Sequence, residues 1–559
     1  MISAGKKNEN YMNFVKIDLI GRYQEIGSQI MSFNKARQKK FRLDLFYRQT
    51  EQVLVSRSVK FVLVERHKDF SVPPFGALEE IRSALQRLTR AGKDVYYYAP
   101  EYNSSDCVLA SACSHRIMHP LGQVFFKGMA MPSLFFKNFL DNHEVDVTVI
   151  RRDRYKSSAD NLRSEKYDKH AREQYQALID GAVSSMRETL TGSSDESGGF
   201  TSEIIDEMIS GRMYTAPEAL KAKLVDELRT VDDLLNEWAK KKIKKRLVKK
   251  PGSLFSFIPK VAVLVFEGMI VDGDNRRDPL FGQAIGDRHM IRIIRALRKN
   301  RRIKAVIFRI NSGGGSATAS ENILRELEAL HKKKPLVISM GPVAGSGGYW
   351  ISTTGQRLFA LPTTITGSIG VITLYFNLAK LLQKHGITTD CIKHGDSADL
   401  GSAYRQITEK EYKMVDNMVE FLYQEFIDRV AKIRKLAPEK VDELAKGRLW
   451  LGKDAAGHDL VDQVGGLHDA ITHVKNDILK VKKVRISFEP RQPFILRFLS
   501  RRPAEAKTGS GDVFSSLADM GTADPGLASS LELARAGLSV HGQMLFQDLF
   551  LSRIISGKG

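Results

Sequence analysis

An internal repeat constrains the fold of this chain more than any other feature of its sequence. The block CVLASACSHRIMHP, residues 107–120, aligns without a gap with YWISTTGQRLFALP, residues 349–362. The block HEVDVTVIRRDRYKSSAD, residues 143–160, aligns at the same offset with residues 385–402. The repeat predicts two copies of one structural unit in a single chain.

Each copy alternates short apolar strands with amphipathic helices. This alternation is typical of βαβ units and predicts an α/β fold with a mostly parallel sheet in each copy. The predicted strand–helix–strand runs are Val59–Glu65, Gly76–Leu88 and Asp94–Ala99 in the first copy, and Ile303–Arg309, Ala319–Leu330 and Pro335–Met340 in the second.

The repeat also predicts the domain organisation. We expect a helical N-terminal extension over 1–52, a first repeat over 53–245, a second repeat over 246–488 and a C-terminal extension over 489–559. The last segment combines a Gly/Ala/Ser/Asp-rich linker, typical of a flexible tail, with a final apolar stretch. Asn13–Phe33 mixes apolar and charged residues, which favours either an amphipathic helix at a membrane or partner surface, or a plain capping helix.

The bulk composition is that of an ordinary globular protein, with one unusual property. The chain is 42% hydrophobic and 27% charged, and its formal net charge is +21. Basic runs at Lys35–Arg42 and Lys240–Lys250 could attract anionic lipid, or they could be a solvated helix end and a solvated linker. We find no nucleic-acid-binding module beside them.

Cysteine usage and hydropathy bear on the compartment. The three cysteines lack metal-ligand spacing and are odd in number, which argues against a zinc site or a disulfide framework. We find neither a signal peptide nor an apolar stretch long enough to cross a membrane. The expected location is therefore cytoplasmic or peripheral to a membrane.

Two glycine-rich turns in the second copy are the candidate catalytic or anion-binding segments. Asn311-Ser312-Gly313-Gly314-Gly315-Ser316 follows one predicted strand, and Ala344-Gly345-Ser346-Gly347-Gly348 follows the next. Glycines at a strand-to-helix turn let backbone N–H groups hold an oxyanion or a phosphate, and a serine among them can be an exposed nucleophile. A turn of small residues that only packs a helix against the sheet is the structural alternative.

A serine nucleophile needs a base, and the repeat suggests a lysine for this role. Lys156 of the first copy aligns with Ala398 of the second, whereas Ser346 aligns with Ser104, which has no glycine neighbours. One copy thus keeps an amine and the other a hydroxyl. A desolvated lysine can act as a general base, although a surface lysine in the basic loop RRDRYK is the simpler interpretation of Lys156 alone.

Taken together, five motifs resemble those of a known family. They are NSGGGSATASE, AGSGGYWIS, TTITGSIGVI, RYKSSAD and GRLWLGKDAAGHDLVD. The sequence resembles, over roughly residues 55–485, the signal peptide peptidase A family in its long tandem-repeat form, protease IV, whose fold is that of the ClpP/crotonase superfamily. The resemblance implies two tandem ClpP/crotonase-like repeats.

The resemblance also implies site residues and a function. Ser346 would be the nucleophile, Lys156 the general base, and Gly347 with the Gly314–Gly315 turn the oxyanion donors. Ser368 matches the serine that orients the lysine, and it is also the rival nucleophile. The implied activity is hydrolysis of short apolar peptides, such as cleaved signal peptides, with no metal or organic cofactor.

The resemblance further implies a bowl-shaped homotetramer with its active sites inside. Long-form relatives commonly carry an N-terminal membrane span, which we do not find here, so a peripheral attachment is expected instead. An acyl-CoA enzyme of the crotonase type and a non-catalytic scaffold of the same fold remain the alternatives.

Overall fold

A computed structural model describes residues 12–26, 40–71, 73–192, 200–246, 258–278 and 282–490. The predicted C-terminal extension therefore lies almost wholly outside the described residues. So do the last residues of the basic run Lys240–Lys250 and part of the run Lys35–Arg42.

The described strands are numbered in chain order. They are β1 (Asn13–Leu19), β2 (Arg22–Gln24), β3 (Lys40–Arg42), β4 (Val59–Arg66), β5 (Asp94–Ala99), β6 (Tyr102–Asn103), β7 (His115–Met118), β8 (Gln123–Phe125), β9 (Asp146–Arg151), β10 (Met213–Thr215), β11 (Glu227–Leu228), β12 (Lys244–Lys245), β13 (Lys260–Glu267), β14 (Met269–Val271), β15 (Arg276–Asp278), β16 (Gly282–Gly286), β17 (Ile303–Ser312), β18 (Leu336–Gly345), β19 (Leu358–Ala360), β20 (Ile365–Gly367), β21 (Ile372–Asn377), β22 (Leu449–Leu451), β23 (Gln463–Val464) and β24 (Arg485–Glu489).

The described helices are numbered in the same way, and α17 continues into one π-helical turn, Val474–Ile478. They are α1 (Leu43–Val55), α2 (Phe75–Arg90), α3 (Ser104–Ala110), α4 (Lys137–Asn142), α5 (Asp160–Arg163), α6 (Lys169–Thr191), α7 (Ser202–Ile209), α8 (Ala216–Lys221), α9 (Val231–Lys240), α10 (Asp287–Lys299), α11 (Ala317–His331), α12 (Gly347–Ser352), α13 (Ala379–Lys384), α14 (Glu409–Arg434), α15 (Pro438–Leu444), α16 (Gly452–Gly457) and α17 (Leu467–His473).

The chain divides into two compact units, and one stretch of the first sequence copy belongs to the second unit. The described residues before 130, together with those from 183 to 246, form the first unit. Residues 130–182 and the described residues from 258 onward form the second. The stretch that carries Lys156 therefore packs with the second unit, although it aligns with the first copy.

The first unit is built on a six-stranded parallel sheet in the order β11-β7-β5-β4-β1-β12. Successive residues of its central strand β4 are fully buried on opposite faces, as the pleat requires. Val62 and Val64 pack into one apolar cluster and Leu63 into another. Burial on both faces explains why residues 61–64 in the middle of β4 are consecutive apolar residues rather than an alternating pattern.

The second unit repeats this plan in a larger sheet. Its main order is β22-β20-β18-β17-β13-β24, with β19 pairing β18 and β23. Only the β20–β22 pair is antiparallel among these described pairings. The predicted fold class, a tandem α/β protein with mostly parallel sheets, is confirmed.

The expectation of an amphipathic helix over Asn13–Phe33 is wrong for its first part. Asn13–Leu19 is strand β1, which pairs with β4 on one side and β12 on the other. Val15, Ile17 and Leu19 are buried at a spacing of two residues, which is the period of a strand. The helix of the described N-terminal residues is α1, and residues 27–39 lie outside the described part.

Among the described residues, no helix combines the length and the apolar character needed to cross a lipid bilayer.

A buried ion pair lies in the first unit at the turn that aligns with the glycine–serine turn of the second copy. Arg66 donates two hydrogen bonds to Asp106, at 3.0 and 2.6 Å, and both side chains are buried. Asp106 also accepts from the Tyr97 hydroxyl at 2.6 Å and from the Asn103 N–H at 2.9 Å. These bonds fix the start of α3 and fill the space around it with charged side chains.

Asp106→Ala is expected to lower the free energy of unfolding of the first unit by about 3–5 kcal/mol, because it leaves a buried guanidinium without its counter-charge. Chemical denaturation followed by a probe in the first unit measures the change. Asp206→Ala, which removes an exposed ion pair with Arg187, is the control and should change little. Equal effects from the two variants would contradict the structural role given to Asp106.

Candidate active site

Ser346 occupies a strained turn between a buried strand and a short helix. Strand β18 ends at Gly345 and helix α12 begins at Gly347. Ser346 has φ +54° and ψ −123°, a conformation that L-residues rarely adopt. Its N–H donates to the carbonyl of Gly367 at 2.9 Å, and its carbonyl accepts from the N–H of Trp350 at 2.9 Å. The backbone is thus held at both ends, and it presents the hydroxyl at the top of the strand.

The second glycine turn lies directly against the first. Gly314 and Gly315 follow β17 with φ +108° and +149°, values that only glycine adopts without strain. A Cβ atom on Gly314 would lie 2.7 Å from the nitrogen of Gly347 and 2.8 Å from the Cβ of Ser346. Any larger residue at Gly314 would push the two turns apart.

Two backbone N–H groups meet beside Ser346. The Ile270 N–H donates to the Gly314 carbonyl and the Ser316 N–H to the Ile270 carbonyl, both at 3.0 Å, so the N–H of Gly315 faces the opposite side. A Cβ atom on Gly347 would lie 3.3 Å from the backbone nitrogen of Gly315. The N–H of Gly347 belongs to the first turn of α12, where helix geometry provides no carbonyl partner.

Gly314 differs from the other two glycines in what its own N–H does. This N–H donates to the Ser312 hydroxyl at 3.1 Å, so its hydrogen is already engaged. The arrangement therefore favours Gly315 and Gly347 as donors to an oxyanion, and it gives Gly314 the role of providing space.

Lys156 brings its amine to the hydroxyl of Ser346. The Nζ atom lies 3.0 Å from Ser346 Oγ, 2.9 Å from Ser368 Oγ and 2.9 Å from the Ser368 carbonyl oxygen. The side chain is 4% exposed, and its burial lowers the pKa of the amine from 10.5 to about 7. All three partners are neutral oxygens, so they solvate the amine without a counter-charge that would raise its pKa.

The segment around Gly447 supports both Lys156 and Ser368. Gly447 has φ +75°, and a Cβ on it would lie 2.5 Å from the backbone nitrogen of Lys156. The Gly447 N–H donates to the Ile369 carbonyl at 2.9 Å, and the Ser368 N–H donates to the Arg448 carbonyl at 2.7 Å. The sequence marks this segment only as part of the family motif GRLWLGKDAAGHDLVD, and nothing in it indicates that Gly447 packs against Lys156.

Gln174 is a further supporting residue that the sequence does not reveal. Its buried side chain donates to the Tyr155 carbonyl at 2.9 Å and to the Ser157 hydroxyl at 2.6 Å. Its carbonyl oxygen accepts from the N–H of Leu449 at 3.2 Å. A single amide thus connects the two neighbours of Lys156 to strand β22. No pattern around Gln174 distinguishes it from an ordinary helical residue.

The residues that align with Ser346 and Lys156 in the other copy of the repeat do not lie in a comparable environment. Ser104, which aligns with Ser346, exchanges hydrogen bonds with the backbone of Lys127, at 2.9 and 3.1 Å. Ala398, which aligns with Lys156, lies in an exposed turn. The structure therefore brings Lys156, Ser346, Ser368 and the three turn glycines together, all within the second unit.

The fold is that of a tandem α/β protein. Its site contains a buried lysine amine within hydrogen-bonding distance of a serine hydroxyl. The chain matches Peptidase family S49 over residues 87–245 and 328–482. The first match contains Lys156, and the second contains Ser346 and Ser368. Since the two matches cover more than half of the chain, it belongs to Peptidase family S49.

Similar proteins agree with this family. The chain is 30% identical to "Protease 4" of Salmonella typhi over 77% of its own length and 71% of the relative. It is 31% identical to "Serine protease SPPA, chloroplastic" of Arabidopsis thaliana over 72% of its length and 61% of the relative. It is also 31% identical to "Protease 4" of Haemophilus influenzae, over 71% and 66% respectively. The family and these relatives support a serine peptidase.

The burial of Lys156 predicts how stability depends on pH. Between pH 7 and about 10, the unfolded chain still binds the lysine proton while the folded protein has released it, so the free energy of unfolding should rise with pH. Below pH 7 both states are protonated, and the cost of the buried charge is felt in full. Denaturation of the second unit at a series of pH values measures this dependence.

Lys156→Met is the matched variant, because it keeps the length of the side chain and removes the ionisable group. It should flatten the pH dependence over this window and raise the stability near pH 7. Identical pH profiles for the two proteins would contradict a lowered lysine pKa.

Proposed function

We propose that this protein is a serine endopeptidase in which Ser346 is the nucleophile and Lys156 the general base. The observation that carries the proposal is the 3.0 Å contact between Lys156 Nζ and Ser346 Oγ, made by a buried amine whose pKa is lowered to about 7. An amine with such a pKa has a substantial neutral fraction at physiological pH and in that form can accept the hydroxyl proton. An ordinary lysine, with a pKa above 10, would be protonated and unable to do so.

In the acylation step, Ser346 Oγ attacks the carbonyl carbon of the scissile peptide bond as its proton passes to Lys156 Nζ. The negative charge that develops on the carbonyl oxygen is stabilised by the N–H groups of Gly347 and Gly315. The ammonium of Lys156 then gives its proton to the leaving amine, and the C–N bond breaks.

In the deacylation step, the neutral amine of Lys156 activates a water molecule that attacks the ester carbonyl. The proton returns from Lys156 to Ser346 Oγ as the ester bond breaks, which restores the free enzyme. Ser368 holds the amine through its hydroxyl and its carbonyl at 2.9 Å each, so that the amine points at Ser346 in both steps. This is a positioning role.

Ser346 is favoured over Ser368 as the nucleophile by what surrounds each hydroxyl. The two oxygens are almost equidistant from the amine, but the N–H groups of Gly315 and Gly347 belong to the turns that meet at Ser346. Ser368 follows strand β20, which pairs with β18, and its own N–H donates to the Arg448 carbonyl instead of belonging to either glycine turn.

The substrate and the location are also part of the proposal. We expect short apolar peptides in extended conformation, such as cleaved signal peptides, on the strength of the family resemblance. We also propose contact with anionic membrane surfaces through the basic segments of this strongly positive chain. Release from membranes by high salt would support this electrostatic attachment, and retention through a salt wash would contradict it.

Ser346→Ala and Lys156→Met should each lower kcat on a fluorogenic apolar peptide by about 1,000-fold or more, because each removes a group that bonds or transfers a proton in the reaction. Ser368→Ala should lower kcat by about 100-fold, as expected for a misdirected base. Steady-state kinetics on folded variants measures these changes. Ser210→Ala, which removes a hydroxyl at an exposed helix end, is the control and should keep full activity.

The outcome that would overturn the assignment is full activity in Ser346→Ala. Loss of activity in Ser368→Ala with retention in Ser346→Ala would instead make Ser368 the nucleophile.

The pH profile tests the base separately. Because only the neutral amine accepts a proton, kcat/KM should rise with pH and reach half of its plateau near the lysine pKa of about 7. The activity should be lost as the pH falls below this value. A half-maximal pH near 10 would mean that Lys156 has an ordinary pKa, and a flat profile would mean that it is not the base.

A further inference from the structure

The glycine–arginine segment that follows α15 has an equivalent in the first copy of the repeat. Residues 447–450, GRLW, lead into strand β22, and residues 211–214, GRMY, lead into β10. In both copies the strand has three residues and a helix follows it directly, α16 after β22 and α8 after β10. The two segments can therefore be compared residue by residue.

The glycine of this segment is crowded in only one of the two copies. Gly211 has φ +92°, and a Cβ atom on it would meet no described atom within 4 Å. Gly447 has φ +75°, and a Cβ atom on it would lie 2.5 Å from the backbone nitrogen of Lys156. The turn itself is thus common to the copies, and the close approach of the Lys156 segment is particular to the second.

In the first copy the arginine of this segment closes a local group. Arg212 lies over the ring of Tyr214, with its Cζ atom 4.7 Å from the ring centroid. Arg212 also donates to Glu207 Oε2 at 2.6 Å, and the Tyr214 hydroxyl donates to the same oxygen at 2.6 Å. All three side chains come from residues 207–214, so this group stabilises only its own turn.

In the second copy the equivalent arginine has an additional aromatic contact. Arg448 lies over the ring of Trp450, the equivalent of Tyr214, at 4.6 Å from Cζ to the ring centroid. It also lies over the ring of Tyr155, at 5.1 Å. Tyr155 is the residue immediately before Lys156. One guanidinium therefore connects β22 to the segment that carries the buried amine.

The carboxylate of the second group also comes from the lysine-bearing stretch. The Tyr155 hydroxyl donates to both oxygens of Glu173, on helix α6, at 3.1 Å each. The Arg448 guanidinium lies 3.6 Å from the same carboxylate, and the two side chains are 27% and 46% exposed. Because so exposed an ion pair is weakly stabilising, the two ring contacts are the stronger connection.

The backbone around Arg448 touches both neighbours of the amine. The Arg448 carbonyl accepts from the Ser368 N–H at 2.7 Å, and the Lys446 carbonyl accepts from the Tyr155 N–H at 3.1 Å. A displacement of this segment would therefore move Ser368 and the Lys156 segment at the same time.

Burial lowers the pKa of the Lys156 amine, so the support of this residue must keep water away from it. The Gly447 segment carries one cation besides Arg448, which is Lys446. The charged and titratable side chains on the other surrounding segments have partners of their own. They are Arg151 and Arg163 with Asp160, Tyr155 with Glu173, Tyr175 with Ser157, and Arg152 with Asp416 and Glu420.

We propose that Arg448 is a positioning residue, whose guanidinium holds Tyr155 against β22 and so keeps the Lys156 amine directed at Ser346. The inference rests on the proposed function, because the amine that Arg448 positions is the proposed base. Arg448 acts through Tyr155 and not on the reacting atoms. A guanidinium suits this role because it has a flat face for stacking and stays charged over the whole pH range in which the lysine titrates.

Arg448→Met removes the guanidinium and keeps an apolar stem. In this variant kcat should fall by about 10- to 100-fold with little change in KM, as expected for a base that is less well directed. Water that reaches the amine should also move the half-maximal pH of kcat/KM upward by about one unit. Steady-state kinetics over a range of pH measures both effects.

Arg212→Met is the matched control, because it removes the equivalent guanidinium from the first copy. It should leave kcat and the half-maximal pH at their wild-type values. Equal effects of Arg448→Met and Arg212→Met, or a wild-type kcat and half-maximal pH in Arg448→Met, would overturn the positioning role.

Variants of Tyr155 test the route by which Arg448 acts. Tyr155→Leu removes the ring and should reproduce the loss in Arg448→Met, whereas Tyr155→Phe keeps the ring and should be at least about 5-fold more active than Tyr155→Leu. Since the two residues act as one contact, the double variant Arg448→Met with Tyr155→Leu should be within about 2-fold of the weaker single variant. Losses that multiply in the double variant would show that Arg448 acts independently of Tyr155 and would overturn the proposal.

A readout that needs no peptidase activity separates this inference from the proposed function. Denaturation of the second unit over a range of pH reports the titration of Lys156 in the folded protein. The rise of the free energy of unfolding with pH should begin at a higher pH in Arg448→Met than in the wild type and in Arg212→Met. Absence of peptide hydrolysis in the wild type would contradict the proposed function alone, whereas identical unfolding profiles for the three proteins would contradict the role of Arg448.

Discussion

The burial of the Lys156 amine is the interaction on which the chemistry of this site depends. An ammonium in a site that offers only neutral oxygens costs free energy, and the protein meets this cost by lowering the pKa of the group to about 7. Burial therefore turns a residue that is usually a surface cation into a candidate base. It also requires a precise support, because an amine without a counter-charge is held only by hydrogen bonds and packing. Gly447 supplies that support from a segment distant in sequence, and Gln174 supplies it from helix α6, which follows Lys156 in the chain.

The close approach of two glycine turns is the second constraint. The N–H groups of Gly315 and Gly347 come together only because neither Gly314 nor Gly347 carries a Cβ atom, which would meet a neighbour at 2.8 Å or less. The positive φ of Ser346 directs its hydroxyl toward the lysine instead of into the helix. Strain in these turns is offset by the largely buried strands β17 and β18 on which they are built. The rigid sheet thus provides the reference frame for the site.

The two copies of the repeat have diverged in what fills the same turn. In the first unit, Arg66 and Asp106 form a buried ion pair where the second copy has Gly347 and Gly348, which carry no side chains. A filled turn of this kind stabilises a helix start and leaves no room for a substrate carbonyl.

Repeated blocks and apolar periodicity determined the fold class from the sequence alone, because strand and helix periods are local properties. The helix expectation was wrong in Asn13–Leu19, where apolar and charged residues alternate at the period of a strand and the segment pairs with a strand on both sides. Comparison of the copies also singled out Lys156, which aligns with an alanine, and Ser346, which aligns with a serine that has no glycine neighbours. Only the tertiary structure decided that residues 130–182 pack with the second unit and bring the amine within 3.0 Å of the hydroxyl. The positioning role of Gln174 and the engagement of the Gly314 N–H were likewise beyond the sequence, because hydrogen bonds between distant segments leave no periodic pattern in the chain.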